Sequence, residues 1–201
     1  MILRSSPASP FGRKVRIAAS LLGLADQIEV RETDLNSPGD SIRTQNPLGK
    51  IPALILDDGT VYYDSPVILE YLDFLAGGGR IVPREPKARF EALRIEALCD
   101  GILDASLLLV YEGRYRPAEM KVQSWVDRQS EKVARGLAAL ESAPPKLTPT
   151  PDVGQITLAC VLGYQDLRFG GAWRKSYPRL LAWHDAFAAQ VPAFAATKVV
   201  S

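Results

Sequence analysis

Apolar and polar positions follow two different rhythms along this chain, and the change comes at the glycine run Gly77-Gly78-Gly79. Before it, strand and helix signals alternate. Ile2-Leu3-Arg4 reads as a short strand. From Pro10 to Leu22 a helical face carries Val15, Ile17, Ala18, Leu21 and Leu22, and Gly23 supplies a helix stop. Gln27 to Leu35, QIEVRETDL, alternates apolar with polar as a half-buried strand does. Ile51 to Leu56 and Thr60 to Tyr63 flank Asp57-Asp58-Gly59, a turn with glycine where a positive φ is needed. Ser65 to Ala76 then spaces Val67, Ile68, Tyr71, Leu72 and Leu75 helically. The predicted order is β-α-β, a connection, then β-β-α.

After Pro86 only helical patterns remain: Lys87 to Glu112, Pro117 to Ser142, Asp152 to Phe169, and Pro178 to about Gln190. The second carries Val122, Trp125, Val126, Val133, Leu137 and Leu140 as a stripe near period 3.6. The third, QITLACVLGYQDL, is apolar nearly all round, which predicts a central buried helix. Asp152 stands three residues before Gln155, a capping-box arrangement. The predicted fold is α+β: a small four-stranded domain over residues 1–76, a linker over 77–85 containing Pro83, and an all-α domain over 86–201.

Charge narrows the function classes. The 24 Lys plus Arg nearly balance 23 Asp plus Glu, leaving a formal +1 and no electrostatic case for nucleic acid. No apolar run approaches membrane-spanning length, and the opening Met1-Ile-Leu-Arg has the character of neither a signal nor a transit peptide. Cys99 and Cys160 lie in apolar stretches and read as buried, reduced thiols, so a cytoplasmic location is expected. One histidine, His184, and no cysteine pair at ligand spacing argue against a metal site and against a Ser-His-Asp triad.

Two Ser-Pro pairs stand at predicted helix starts. Ser65-Pro66 and Ser9-Pro10 each place an N-cap serine before an N1 proline. Free N–H groups at such an end form an anion site, and at the first of them Asp64 can take a neighbouring ammonium. Capping alone would also account for either serine. Ile51-Pro52 opens a strand where proline, lacking an N–H, belongs at a start or an edge.

Three motifs, SPFGRKVR (Ser9 to Arg16), NPLGKIPAL (Asn46 to Leu54) and YDSPVILEYL (Tyr63 to Leu72), together resemble the glutathione S-transferase superfamily, and its serine-type bacterial members in particular. ALCDGILDASLLL and GQITLACVLGYQDLRF are similar to the helical domain of the same proteins. The resemblance covers essentially the whole chain. It implies a thioredoxin-like N-terminal domain with a mixed sheet, glutathione as cosubstrate, no metal, and a homodimer. It also implies a cis Ile51-Pro52 bond that turns the Ile51 N–H and C=O toward the cysteinyl part of glutathione. Asp64 and Ser65 are implied for the zwitterionic γ-glutamyl end and Lys50 for the glycine carboxylate, with Asp64 standing where the family more often has Glu. Ser9 aligns with the catalytic serine that donates to the glutathione sulfur, with Ser5 and Ser6 as competitors. Phe11, Leu107, Tyr111, Arg114 and Phe169 are expected around a hydrophobic electrophile, and Asp100 and Asp104 near the partner subunit's glutathione. The implied activity is glutathione conjugation in detoxification. Glutathione-dependent isomerisation, peroxidase or dehalogenase chemistry, or a non-catalytic protein-interaction module on the same fold, are the alternatives.

Overall fold

The computed structural model describes residues 1–199. Four strands, β1 (Ile2–Ser5), β2 (Glu29–Glu32), β3 (Ala53–Ile55) and β4 (Val61–Tyr62), form one sheet in the order β2-β1-β3-β4. β1 runs parallel to β2, while β3 is antiparallel to both β1 and β4, so the sheet is mixed. The parallel pair is joined through α1 (Pro10–Leu22), and α2 (Ile42–Gln45) and α3 (Ser65–Leu75) complete this half. α1 ends as its sequence predicts: Gly23 adopts φ 73° and its N–H bonds the Ser20 carbonyl.

Two expectations for this half need correction. β2 is exposed at all four positions rather than half-buried. It is an edge strand whose one paired neighbour is β1, and neither of its faces is covered, so the alternation has no core to face. The helical face of α3 is also rotated: Ile68, Leu69 and Leu72 are buried, whereas Val67, Phe74 and Leu75 point outward.

The helical half contains α4 (Pro86–Tyr115), α5 (Gln123–Ser142), α6 (Val153–Phe169), α7 (Trp173–Ser176), α8 (Pro178–Gln190) and α9 (Pro192–Ala196). α5 starts six residues later than its pattern suggested, because Ala118–Met120 forms a separate 3-10 turn. α6 is the central helix, packed against both α4 and α1, with every residue from Val153 to Leu162 buried. Gly154 permits that approach, since a Cβ there would lie 2.7 Å from the Ala92 carbonyl oxygen. Its capping box is half made. Asp152 Oδ1 accepts from the Gln155 N–H at 2.9 Å, but the Gln155 side chain turns away to the Lys146 carbonyl and Thr148.

The segment between the halves is pinned rather than loose. The buried Asp73 carboxylate accepts from the N–H groups of Gly79, Arg80 and Ile81 at 2.7 to 2.9 Å, and the Ile81 carbonyl accepts from Val153 N. A second connection crosses lower down. Lys14 of α1 is fully buried between Glu96 (3.1 Å) and Asp100 (2.9 Å) of α4. Burial opposes each of these charges, yet the two carboxylates hold the Lys14 ammonium above its usual range, and burial in turn pushes both carboxyls up.

Candidate active site

Strand register assembles the site. Arg4 pairs with Ala53 and Leu54 with Tyr62, which puts the C-terminal end of β1, the N-terminal end of β3 and the C-terminal end of β4 at one edge of the sheet. The loop to Ser9, the Ile51-Pro52 step and the Asp64-Ser65 step therefore meet there. The Ile51-Pro52 bond is cis, as is Tyr63-Asp64. Among the described residues the Ile51 N–H and C=O make no hydrogen bond, so both are available to a peptide-like ligand. The preceding loop is fixed from within: Asn46 Nδ2 donates to the Lys50 carbonyl at 2.9 Å and Asn46 Oδ1 accepts from Leu48 N.

Arg4, which the sequence reading passed over as a strand residue, holds the rest of that loop. Its guanidinium is buried and donates to Thr33, Ser41, Gln45 and Asp40, the last at 2.6 Å. Hydrogen bonds from the Ile42 and Asp34 N–H groups, reinforced by Arg4, lower the Asp40 carboxyl. The only sequence signal was a charged residue in an otherwise apolar strand.

Ser9 is the N-cap of α1. Its Oγ accepts from Gly12 N at 3.1 Å, and its hydroxyl donates to no group among the described residues. Ser5 is 1% exposed and its Oγ sits against Gly12, where a Cβ would be 1.9 Å away. Ser6 is half-buried, and its carbonyl accepts from both Ser5 Oγ and Ser9 N.

At α3 the N-cap is Asp64, not Ser65, and its side chain makes no capping bond. The register is one residue earlier than the Ser-Pro signature implied, which leaves the Asp64 carboxylate exposed and free, with Ser65 buried as the first helical residue. Lys50 is exposed nearby. Asp104 of α4 faces both: partial desolvation and the Asp64 carboxylate raise its carboxyl, against the pull of Lys50. Asp100, one turn earlier, is taken up by Lys14.

A cleft of about 330 Å³ opens beside Ser9, walled by Pro7, Arg13, Tyr164, Leu167 and Phe194. None of the five expected wall residues lines it directly. Phe11, Leu107 and Phe169 pack against the hydrophobic core instead. Tyr111 and Arg114 stand behind Tyr164, near enough to act on its hydroxyl. The Tyr111 ring meets Tyr115 at 5.2 Å, and the Tyr115 hydroxyl reaches Asn36 of the sheet half. Tyr164 and Arg13 are residues that sequence reasoning missed, because each lies on a face that reads as core or as solvated helix.

The sequence pattern described as "Glutathione S-transferase, N-terminal domain" matches residues 8–74, and that of its "C-terminal domain" matches 123–186. The uncharacterized GST-like protein YibF of Escherichia coli K12 is 34% identical over 185 residues, 90% of each chain. A glutathione S-transferase of Methylobacillus flagellatus KT, crystallised with GSH bound, shares 34% identity and superposes with a TM-score of 0.91 over 99% of both chains. A glutathione transferase family member from Pseudomonas fluorescens Pf-5, with bound glutathione, shares 39% identity with a TM-score of 0.90 over 100% of this chain and 99% of that one.

Proposed function

The chain belongs to the glutathione S-transferase family, and on that premise we propose that it is a glutathione transferase that activates the thiol through Ser9. The tripeptide lies along the sheet edge. Its cysteinyl backbone pairs with the Ile51 N–H and C=O, its γ-glutamyl carboxylate meets the N-terminus of α3 at Ser65, its ammonium meets Asp64, and its glycine carboxylate is within the field of Lys50. Among the described residues none of these groups has a competing internal partner, which is what a preorganised site requires.

The observation that carries the reading is the state of Ser9. Its oxygen is occupied by Gly12 N–H, so the hydroxyl proton is directed elsewhere, and the residue lines the cleft. A free thiol has a pKa of about 8.5. A hydroxyl donor at the positive end of α1 favours the thiolate, and each unit of lowering corresponds to about 1.4 kcal/mol. The thiolate then attacks the electrophile in the cleft: a C–S bond forms, a leaving group departs or an activated double bond takes up a proton, and the thiol proton passes to solvent. Ser5 is a weaker candidate because it is sealed beneath Gly12.

A homodimer in the cytoplasm, serving detoxification, accords with this activity. The face that would pair is apolar and uncovered in the single chain. Phe74 is 73% and Phe90 69% exposed on α3 and α4, two helices joined by the Glu70–Arg89 ion pair.

Calorimetry of glutathione binding to the wild type and to Ser9→Ala, with ultraviolet absorbance of the bound thiolate, tests the assignment. The expected result is binding by both proteins and a thiolate signal in the wild type only. Absence of glutathione binding to the wild type would overturn the transferase reading and favour an interaction module.

A further inference from the structure

Lys50 and Ile51, the residues proposed for the glycine and cysteinyl parts of glutathione, lie in the loop 46–52 between α2 and β3. That loop is shaped from within. The Asn46 side chain bonds Lys50 and Leu48, and Gly49, at φ 60°, donates to the Asn46 carbonyl at 2.7 Å. Its position against the sheet is set at its two ends, and both ends lead to Arg4 of β1.

At the C-terminal end the strand register pairs Arg4 with Ala53, the residue after Pro52. At the N-terminal end the Arg4 side chain does the holding. Its Nη1 donates to Ser41 at 2.8 Å and to Gln45, the last residue of α2, at 3.0 Å. Its Nη2 donates to Asp40 at 2.6 Å and its Nε to Thr33 at 3.0 Å. Asp40 in turn accepts from the Ile42 N–H at 2.8 Å and the Asp34 N–H at 3.1 Å, so the guanidinium gathers the run from β2 to α2. The buried Ile42 side chain is the apolar part of the same attachment.

Arg4 is 4% exposed, and a strand residue buried to that degree is ordinarily apolar. A buried ion pair adds little net stability over well-packed apolar side chains, but a guanidinium fork accepts a narrow set of geometries. Four acceptors from one stretch of chain, at 2.6 to 3.0 Å, meet that demand. None of the four belongs to a residue proposed to touch glutathione.

We propose that Arg4 is a positioning residue for glutathione: it presets the loop 46–52, so that Lys50 and the Ile51 N–H and C=O stand in their binding positions before the ligand arrives. The assignment rests on the transferase reading above and adds a residue that acts without touching the ligand. Ordering a loop in advance removes that cost from the binding step, so its worth lies in glutathione affinity and not in thiol activation.

The test pairs affinity with the thiolate signal. In Arg4→Met the Kd for glutathione, by calorimetry, is expected to rise about tenfold, with the ultraviolet thiolate absorbance per bound glutathione retained. Arg4→Lys, which keeps a donor for Asp40 but not the fork, falls between that variant and the wild type. Ser41→Ala combined with Gln45→Ala removes two acceptors from the loop side and leaves β1 as it is. Its Kd rises about threefold or more, and it decides the matter should Arg4→Met not fold. A purely structural role would lower the urea midpoint and leave the affinity of the folded protein unchanged. Kd values within about twofold of the wild type in the folded variants overturn the positioning, as does loss of the thiolate signal from Arg4→Met at saturating glutathione. If the wild type binds glutathione and the variants bind it equally well, the positioning alone fails. If the wild type binds none, the transferase reading fails and takes the positioning with it.

Discussion

Two charged clusters lie within two helical turns of each other on α4, and their states are opposite. Lys14, Glu96 and Asp100 are buried and engaged with one another at 2.9 to 3.1 Å. Lys50 and Asp64 both act on the Asp104 carboxyl, and among the described residues the three form no ion pair. The first cluster is saturated and joins α1 of the sheet half to α4 of the helical half. The second is open, at the sheet edge where the free Ile51 backbone also lies. Similar residue types thus serve as structure where their bonds are closed internally, and as a candidate binding site where they are not.

The strongest way to break this comparison is at Lys14. Lys14→Met leaves two carboxylates facing each other in a buried seam, and loss of one partner from such a cluster costs about 3–5 kcal/mol. Urea unfolding at neutral pH measures it; a loss below about 1 kcal/mol would mean that the seam is not saturated in solution. The loss also has a pH signature. Both carboxyls are already raised in the folded protein, and removing the ammonium raises them further. A raised acid stabilises the fold in its protonated form, so the Lys14→Met deficit shrinks as pH falls toward 5 and grows toward neutrality.

Asp64→Ala should do the reverse. The side chain is exposed, makes no capping bond, and adds to the negative charge around Asp104, so stability moves by less than about 0.5 kcal/mol. Glutathione affinity falls about 10- to 100-fold, the worth of one charge-assisted contact. Calorimetry and urea unfolding on the same preparation separate the two. A variant that loses stability instead of affinity would place Asp64 in the structural class.

The open cluster was the legible one. Asp64, Ser65, Ile51 and Pro52 stand within short motifs because the features that matter there are local: a helix start, a strand start and a proline. Sequence erred by one residue at the α3 cap, since Ser-Pro and Asp-Ser each make an acceptable helix entry and only the backbone decides. The closed cluster was not legible. Lys14 sits in the basic run Arg13-Lys14-Val15-Arg16, which an amphipathic pattern assigns to solvent, and its partners come from more than eighty residues away. The cleft wall was no more legible. Tyr164 lies in a helix so apolar that no face stands out, and Phe11, Leu107 and Phe169 fit the core as well as they fit a pocket. The β2 error belongs with these: alternation reports a face, and whether anything covers it depends on the other elements.

The smallest effect concerns the helical half alone. His184, the chain's one histidine, packs against Trp173 and Phe194 at the cleft, with its Nδ1 3.2 Å from Asp185. Burial lowers its pKa below 6.5; Arg174 adds to this, while Asp185 and Asp166 oppose it. A depressed folded value means that the unfolded chain takes up the proton first. The stability that His184 contributes is therefore complete above about pH 6.5 and is lost as pH falls toward the folded value, at under about 1.4 kcal/mol per unit. His184→Phe should flatten the stability profile between pH 6.5 and 5.5 while leaving the Lys14→Met profile its own opposite slope. The two slopes then assign acid sensitivity to the helical half and alkaline sensitivity to the seam. A wild-type profile with no slope in that window would show that the His184 ring reaches water as easily in the fold as out of it.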